Sequence, residues 1–336
     1  MDQARCARRT ARRLISLLLI VLSLTVFAVS CAPRPKFSIA TGDVPALSLH
    51  PDVDATPEER VASDLAFLTS EFCNGRQIGT DGALKSAQYT IDEFERIGLK
   101  PGYRDSYVQG FTAKHKKGAQ AGQVVAGFNV VGILGNPNSD PTVVICAHRD
   151  SLGTDGSAYV PIQGGTDNAS GTAGLLEIAR ILEADRERKW ATVFASFDGE
   201  EIGLTGSMDF ASNYPFNESN LRLVVNLDCV AVAGCREVEI HTTPGSDLAL
   251  SVAEAIIGGL RAASLEGVTT VDKYGSDHLS FEAEGFAALS IHSPLEAMRD
   301  HLHGPSDTVE TVDASALATL AQAVADGLIS GLVSGE

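Results

Sequence analysis

The sequence predicts an α/β fold in which three layers, helix, sheet and helix, surround one central, mostly parallel mixed sheet. Short continuous apolar runs recur along the chain, as is typical of strands covered on both faces. Helical patterns with apolar residues three and four positions apart alternate with these runs. The 336 residues, 44% of them hydrophobic, are enough for one large domain.

The elements follow from these patterns in chain order. The predicted strands are NVVGIL (129–134), TVVICA (142–147), TVFASF (192–197), RLVVNL (222–227) and FAALSI (286–291). The predicted helices cover 59–72, 84–99, 169–184 and 248–263. We therefore expect the folded domain to span 59–336.

Residues 1–30 are predicted to be a lipoprotein-type signal peptide. A basic stretch, RCARRTARR, precedes the apolar run LISLLLIVLSLTVFAV, and Cys31 follows directly after Ser30. The residues AVSC resemble the cleavage box of bacterial lipoproteins, which would make Cys31 the lipidated first residue. The alternatives are an ordinary signal peptide cut nearby and an uncleaved anchor helix. We expect an exported bacterial lipoprotein of the cell envelope, anchored to the membrane through Cys31 and facing the periplasm or the exterior.

The segment 31–58 is predicted to be a flexible tether, because it contains five prolines and shows no sustained periodicity. The whole chain has a net charge of −17. Loss of residues 1–30 removes five arginines and Asp2, which lowers the net charge by four to −21. Nucleic acid and anionic membrane surfaces are therefore not expected as partners. Cys229 and Cys235 could pair in an oxidising compartment, and the sequence leaves this open.

Polar residues follow three of the predicted strands at the point where each strand ends. His148 and Asp150 come after the second strand, Glu200 and Glu201 after the third, and Asp228 after the fourth. Sites in open α/β sheets form beyond the carboxyl ends of the strands, so these side chains should meet at one edge.

Two further elements complete this set. Asp167 stands at the entrance to a predicted helix, and His303 lies in a loop near the C-terminus. Imidazole and carboxylate ligands suit Zn²⁺ and, less strongly, Mn²⁺ or Co²⁺. A carboxylate shared between two ions would support a two-metal hydrolytic centre.

These motifs together resemble the M28 family of zinc aminopeptidases over roughly residues 60–325. The motifs that carry the resemblance are GRQIGT, AHRDS, TDNASG, FDGEEIGLTGS, NLD, SDHLSF and HGPSDT, in this order. The resemblance implies a zinc-exopeptidase (phosphorylase/hydrolase-like) fold. It also implies two Zn²⁺ per chain, and peptide substrates with a free N-terminus.

Carried over by position, the resemblance implies a role for each ligand. His148 and Asp228 would bind one metal, Glu201 and His303 would bind the other, and Asp167 would bridge them. His301 is the alternative to His303, two residues earlier in the same loop.

The resemblance implies catalytic roles as well. Glu200 would be the general acid/base acting on a metal-activated bridging water, and Asp150 would orient the imidazole of His148. A cis peptide is expected after Asp167. Tyr274 is a candidate for assisting the oxyanion, although its spacing to the SDH motif is one residue shorter than in family members with that tyrosine.

The predicted function is a di-zinc metallo-aminopeptidase that removes N-terminal residues from peptides, with dipeptidase and carboxypeptidase action left open. One alternative is a single-zinc acyltransferase like glutaminyl cyclase. Such proteins carry a tryptophan-bearing loop after the DGEE segment, whereas the only tryptophan here, Trp190, precedes it. The other alternative is a non-catalytic exported binding domain with a peptidase fold.

Overall fold

The computed structural model describes residues 50–52, 54–116, 121–153, 161–185, 187–270 and 274–333. The predicted signal peptide, Cys31 and most of the predicted tether lie outside the described residues. The first helix begins at Pro57, two residues before the expected domain start. Thr56 caps it through a reciprocal pair of hydrogen bonds with Glu59.

Within the described residues, nine strands form one mixed sheet. Their bounds are β1 Lys100–Pro101, β2 Val108–Lys114, β3 Val124–Leu134, β4 Thr142–His148, β5 Ala191–Phe197, β6 Leu221–Leu227, β7 Glu237–Thr242, β8 Glu266–Thr270 and β9 Ala288–His292. The order is β1-β3-β5-β4-β6-β9-β7-β8, and β2 also pairs with β3. The central strands β5, β4, β6 and β9 are parallel, as are β7 and β8, whereas the other pairs are antiparallel.

Eight α-helices accompany the sheet in the described ranges. Their bounds are α1 Pro57–Leu68, α2 Asp81–Ile97, α3 Ser170–Ala184, α4 Thr205–Ser212, α5 Asp247–Ala262, α6 His278–Ala283, α7 Leu295–Met298 and α8 Ala314–Val333. One face of the sheet, here called the first face, packs on α1, α2, α3, α5 and α8, and the second face packs on α4 and α6. The predicted three-layer α/β fold is confirmed.

The helix Ala314–Leu332 is the one helix in the described part of the chain that is long and apolar enough to cross a membrane. Half of its apolar window is buried, and it packs against α1, α3 and α5. A helix in the core of a folded domain has the same properties, so the length and composition of α8 do not indicate a membrane span.

Alternation along the strands decides which side chains reach the second face. In β6, Val225 and Leu227 join the core of the first face, and Val224 joins the core of the second. The Asn226 amide donates to the Ser290 hydroxyl of β9 at 3.4 Å, so these two residues share the second face. Asp228 and His292 lie two residues further along these neighbouring strands, so the same alternation places them on the second face as well.

Candidate metal centre

The candidate metal centre lies at the carboxyl edge of the three neighbouring parallel strands β5, β4 and β6. His148 is the last residue of β4, Asp228 directly follows β6, and the pair Glu200-Glu201 follows β5 after a turn. The structure therefore brings together the residues that the sequence analysis places at the strand ends.

Asp167 stands between two groups of ligand atoms. Its Oδ1 lies 3.2 Å from His148 Nε2, which is also 3.2 Å from Asp228 Oδ1. Its Oδ2 lies 3.0 Å from His303 Nε2, which is 3.6 Å from Glu201 Oε2. Each oxygen of one carboxylate thus belongs to a different group, which is the arrangement that a bridging ligand requires.

These two groups fit a pair of cations such as zinc. A tetrahedral zinc with bonds of about 2.0 Å holds its ligand atoms about 3.3 Å apart, close to the separations above. In the described part of the chain, the ion pairs of Asp167, Asp228 and Glu201 are with histidine alone. Glu201 Oε1 is buried without a hydrogen-bond partner. Cations would neutralise these clustered carboxylates.

Without cations the site is electrostatically costly. Burial raises the pKa values of Glu200 and Glu201 well above the ordinary value, and neighbouring carboxylates raise them further. Burial would lower the pKa of His148, but Asp228 and two other carboxylates raise it well above its ordinary value. Burial likewise opposes ionisation of Asp167, yet hydrogen bonds from His148 and His303 lower its pKa.

Asp150 holds the backbone of the glutamate pair. Its Oδ1 accepts the N–H of Glu200 at 3.1 Å, and its Oδ2 accepts the N–H of Glu201 at 3.3 Å. His148 Nδ1 lies 3.1 Å from the Asp150 backbone carbonyl and 3.5 Å from Asp150 Oδ1. Gly199 makes the turn at φ 76°, where a Cβ would stand 2.3 Å from Thr205 Oγ1. Asp150 therefore links β4 to the segment that carries both glutamates.

The peptide bond between Asp167 and Asn168 is cis, as the family resemblance implies. The Asn168 amide donates to the Leu227 carbonyl at 3.0 Å, and its Oδ1 accepts the N–H of Gly171 at 2.8 Å. These bonds fasten the segment that carries Asp167 to the end of β6 and to the start of α3.

The loop that carries His303 also positions Asp167. The Asp307 carboxylate is fully buried and accepts the N–H of Thr166 at 2.7 Å and that of Asp167 at 3.1 Å. The two loops approach so closely that a Cβ on Gly165 would lie 1.9 Å from the Thr308 carbonyl oxygen. Asp307 lies in the HGPSDT motif, but no local pattern in the sequence predicts this contact.

The structure separates the two candidate histidines of this loop. His303 Nε2 faces Asp167 and Glu201, whereas His301 Nε2 hydrogen-bonds the Thr166 hydroxyl at 3.1 Å. His303 has φ 58°, a left-handed conformation that costs a non-glycine residue about 1–2 kcal/mol and is often found at functional sites.

Arg76 is a second residue whose contacts the sequence did not reveal, although it lies in the GRQIGT motif. Its guanidinium is fully buried and donates to the carbonyls of Arg149, Leu68, Gln163 and Gly164 at 2.6 to 2.8 Å. It thereby joins the loop after β4 to the loop that precedes Asp167.

Tyr274 lies beside the centre rather than among its ligands. Its ring stacks on His292 with centroids 4.3 Å apart. Burial raises the pKa of the Tyr274 hydroxyl well above its ordinary value, and the nearby Asp228 carboxylate raises it further. The Cys229 and Cys235 thiols are both free in the structure.

Comparison with known proteins agrees with this site. The family model described as "Peptidase family M28" matches residues 129–328 of this chain. A "Probable leucine aminopeptidase" of Trichophyton verrucosum is 26% identical over 266 residues, which cover 76% of this chain and 68% of that protein. A "Probable zinc metalloprotease" of Pyricularia oryzae is 28% identical over 253 residues, covering 65% of this chain and 49% of that protein. The chain thus spans about half to two thirds of the length of these relatives.

Solved structures share the fold. Porphyromonas gingivalis glutaminyl cyclase has a TM-score of 0.65 at 18% identity, over 81% of this chain and 98% of that one. The aminopeptidase from Aneurinibacillus sp. strain AM-1 also has a TM-score of 0.65, at 16% identity, over 82% and 93% of the two chains. The fold is therefore common to both enzyme types and does not separate them. The match over 129–328 does identify the family: this chain belongs to peptidase family M28.

Proposed function

We propose that this protein is a di-zinc aminopeptidase that hydrolyses the first peptide bond of substrates with a free N-terminus. The observation that carries the proposal is the Asp167 carboxylate, whose two oxygens each face a separate histidine-carboxylate group. The names of the relatives support aminopeptidase action.

Zinc held by these residues would acidify a water molecule and polarise the scissile carbonyl. Glu200 takes the proton of the attacking water and later delivers it to the leaving amine. Glu201 stays anionic as a ligand, while Glu200 gains and loses a proton. Asp150 keeps the two side chains in their separate positions by holding both backbone N–H groups.

The single-zinc cyclase alternative is less well supported by the contacts. Trp190 directly precedes β5, so it lies at the end of that strand opposite to Glu200. Its ring is buried in the core of the first face. The second ligand group, Asp167, Glu201 and His303, is also present.

The test is a metal count and a hydrolysis assay on the zinc-loaded full chain. We expect two zinc ions per chain and hydrolysis of alanine and leucine anilides, but not of their N-acetylated forms. Glu200→Gln should keep both ions and lose about 10²- to 10⁴-fold in kcat, whereas Glu201→Gln should also lose one ion. The matched control is Glu296→Gln, because that side chain is 86% exposed. One bound ion with cyclisation of N-terminal glutamine, or normal turnover in Glu200→Gln, would overturn the proposal.

We also propose that the enzyme is exported and anchored through Cys31, which rests on the signal-like sequence of residues 1–30. Cys31→Ser should abolish labelling by a radioactive fatty acid in a bacterial host and release the protein from the membrane fraction. Labelling that persists in this variant would contradict the anchor.

A further inference from the structure

The hairpin formed by β2 and β3 extends past the edge of the sheet where the metal centre lies. β3 runs antiparallel to β5, and Val130 is paired with Ser196. By this register Asn129 lies opposite Phe197, the last residue of β5, and β3 begins five residues further out, at Val124. At about 3.4 Å per residue, about 17 Å of the hairpin lies beyond the carboxyl end of β5. The hairpin therefore flanks the centre on its β5 side.

Contacts join this hairpin to the turn that carries the glutamate pair. The Phe128 N–H donates to the Asp198 carboxylate at 3.0 Å. Further along the turn, the Gly203 N–H donates to the Glu200 carbonyl at 2.7 Å. A Cβ on Gly203 would stand 2.9 Å from the ammonium of Lys116, which follows the end of β2 by two residues. The ammonium thus lies against the same turn as the proposed proton carrier.

Lys116 is an accessible cation. Its side chain is exposed, and no described residue forms an ion pair or a hydrogen bond with its ammonium. The chain has 43 acidic residues against 26 lysines and arginines, so possible partners are abundant elsewhere. The metal centre is also open to solvent, because the side chain of His303 is 55% exposed. A substrate bound at the centre can therefore meet this charge.

The proposed mechanism indicates which part of a substrate would lie near the ammonium. Glu200 delivers its proton to the leaving amine, so this amine must come within hydrogen-bond reach of the Glu200 carboxylate. The residue after the scissile bond is therefore the part of the substrate nearest to the turn. A lysine carries its charge on a flexible four-carbon stem, which lets the ammonium follow a negative group on that residue.

We infer that Lys116 is a specificity-determining residue that binds a carboxylate on the residue after the scissile bond. This carboxylate is either the C-terminus of a dipeptide or an acidic side chain, and the chemistry of recognition is the same for both. The inference rests on the proposed aminopeptidase function and narrows its substrate class to peptides with a negative charge at this residue.

The experiment compares pairs of peptides that differ in this charge alone, using the zinc-loaded full chain. Leucyl-glycine and its amide test the C-terminal carboxylate, whereas the amides of leucyl-aspartate and leucyl-asparagine test the side chain. In at least one pair, Lys116→Gln should lower the ratio of kcat/KM for the charged peptide to that for the neutral peptide by about fivefold, as expected for a partly exposed ion pair. Lys116→Arg should retain most of the ratio, and added salt should lower it in the unmodified protein.

The matched control is Lys100→Gln, which removes the same charge from another exposed position. Lys100 lies in β1 and pairs with Ile133 of β3, nine residues from Val124. At the spacing of an extended strand this is about 30 Å from the start of β3. The control should therefore leave both ratios and the hydrolysis of leucine anilide unchanged.

A fall in the first ratio alone would identify the C-terminal carboxylate as the ligand, and a fall in the second alone would identify the acidic side chain. The inference would be overturned if both ratios in Lys116→Gln equalled those of the unmodified protein, or if Lys100→Gln lowered them as far. Hydrolysis of neither the peptides nor leucine anilide would instead overturn the aminopeptidase function itself.

Discussion

Replacement of Asp307 by asparagine tests whether the C-terminal loop holds the bridging aspartate. In Asp307→Asn, the remaining side-chain oxygen still accepts one backbone N–H. The NH2 group that replaces the other oxygen is a hydrogen-bond donor, so it cannot accept the second backbone N–H. One of the two bonds to Thr166 and Asp167 is therefore lost. The donor left behind lies in a region closed to water, because Asp307 is fully buried.

The magnitude follows from those contacts. A hydrogen bond to a charged acceptor contributes about 1.5–3 kcal/mol, and a buried donor without a partner costs about 1–3 kcal/mol. Burial raises the pKa of Asp307, so replacing the carboxylate with a neutral amide recovers part of this loss. We expect a net loss of about 2–3 kcal/mol in the free energy of unfolding of the metal-free protein. Zinc affinity should fall by about 10- to 100-fold, the usual effect of removing a group that orients a ligand.

Urea unfolding in the presence of a chelator measures the first quantity, and competition with a chromophoric chelator measures the second. The control is Asp300→Asn, which changes an exposed aspartate of the same loop. If Asp307→Asn matched this control in both stability and zinc affinity, then Asp307 would not position Asp167.

Two further predictions concern buried charges. Arg76→Lys leaves at least one of the four carbonyls without a donor, because a lysine has only three N–H groups. Urea unfolding should show that the free energy of unfolding falls by about 1–3 kcal/mol or more. A fall of less than about 0.5 kcal/mol would contradict the role of Arg76 in joining the two loops. Burial raises the pKa of Asp277 from 3.8 to about 7. The stability that its protonated form contributes is complete below the unfolded pKa and is lost as the pH rises through about 7. The stability of Asp277→Asn relative to the wild type should therefore rise as the pH increases from about 4 to about 7, and it should not rise further above pH 7. A stability difference between the two proteins that does not change with pH would refute this.

The strands that build the site could be predicted from their composition. The runs 142–147, 192–197 and 222–227 are apolar on both faces, because parallel strands at the centre of a sheet are covered on both sides. Helices α1, α2, α3 and α5 could also be predicted, from the three- and four-residue spacing of their apolar residues. Strands β1, β2, β7 and β8 were not predicted, because they carry polar and exposed residues that local patterns do not distinguish from loops. Helix α8 was missed as well, although it is the longest helix described.

The five candidate ligands are visible in the sequence, because each follows a strand end or lies in a family motif that is local in the chain. How these residues are held in place depends on contacts between distant parts of the chain. Asp307 meets Thr166 across 141 residues, and Arg76 meets Gly164 across 88. His292 lies beside Asp228 because β9 pairs with β6. Such contacts depend on the order of strands in the sheet and on the path of its loops, and no periodicity within a segment encodes them.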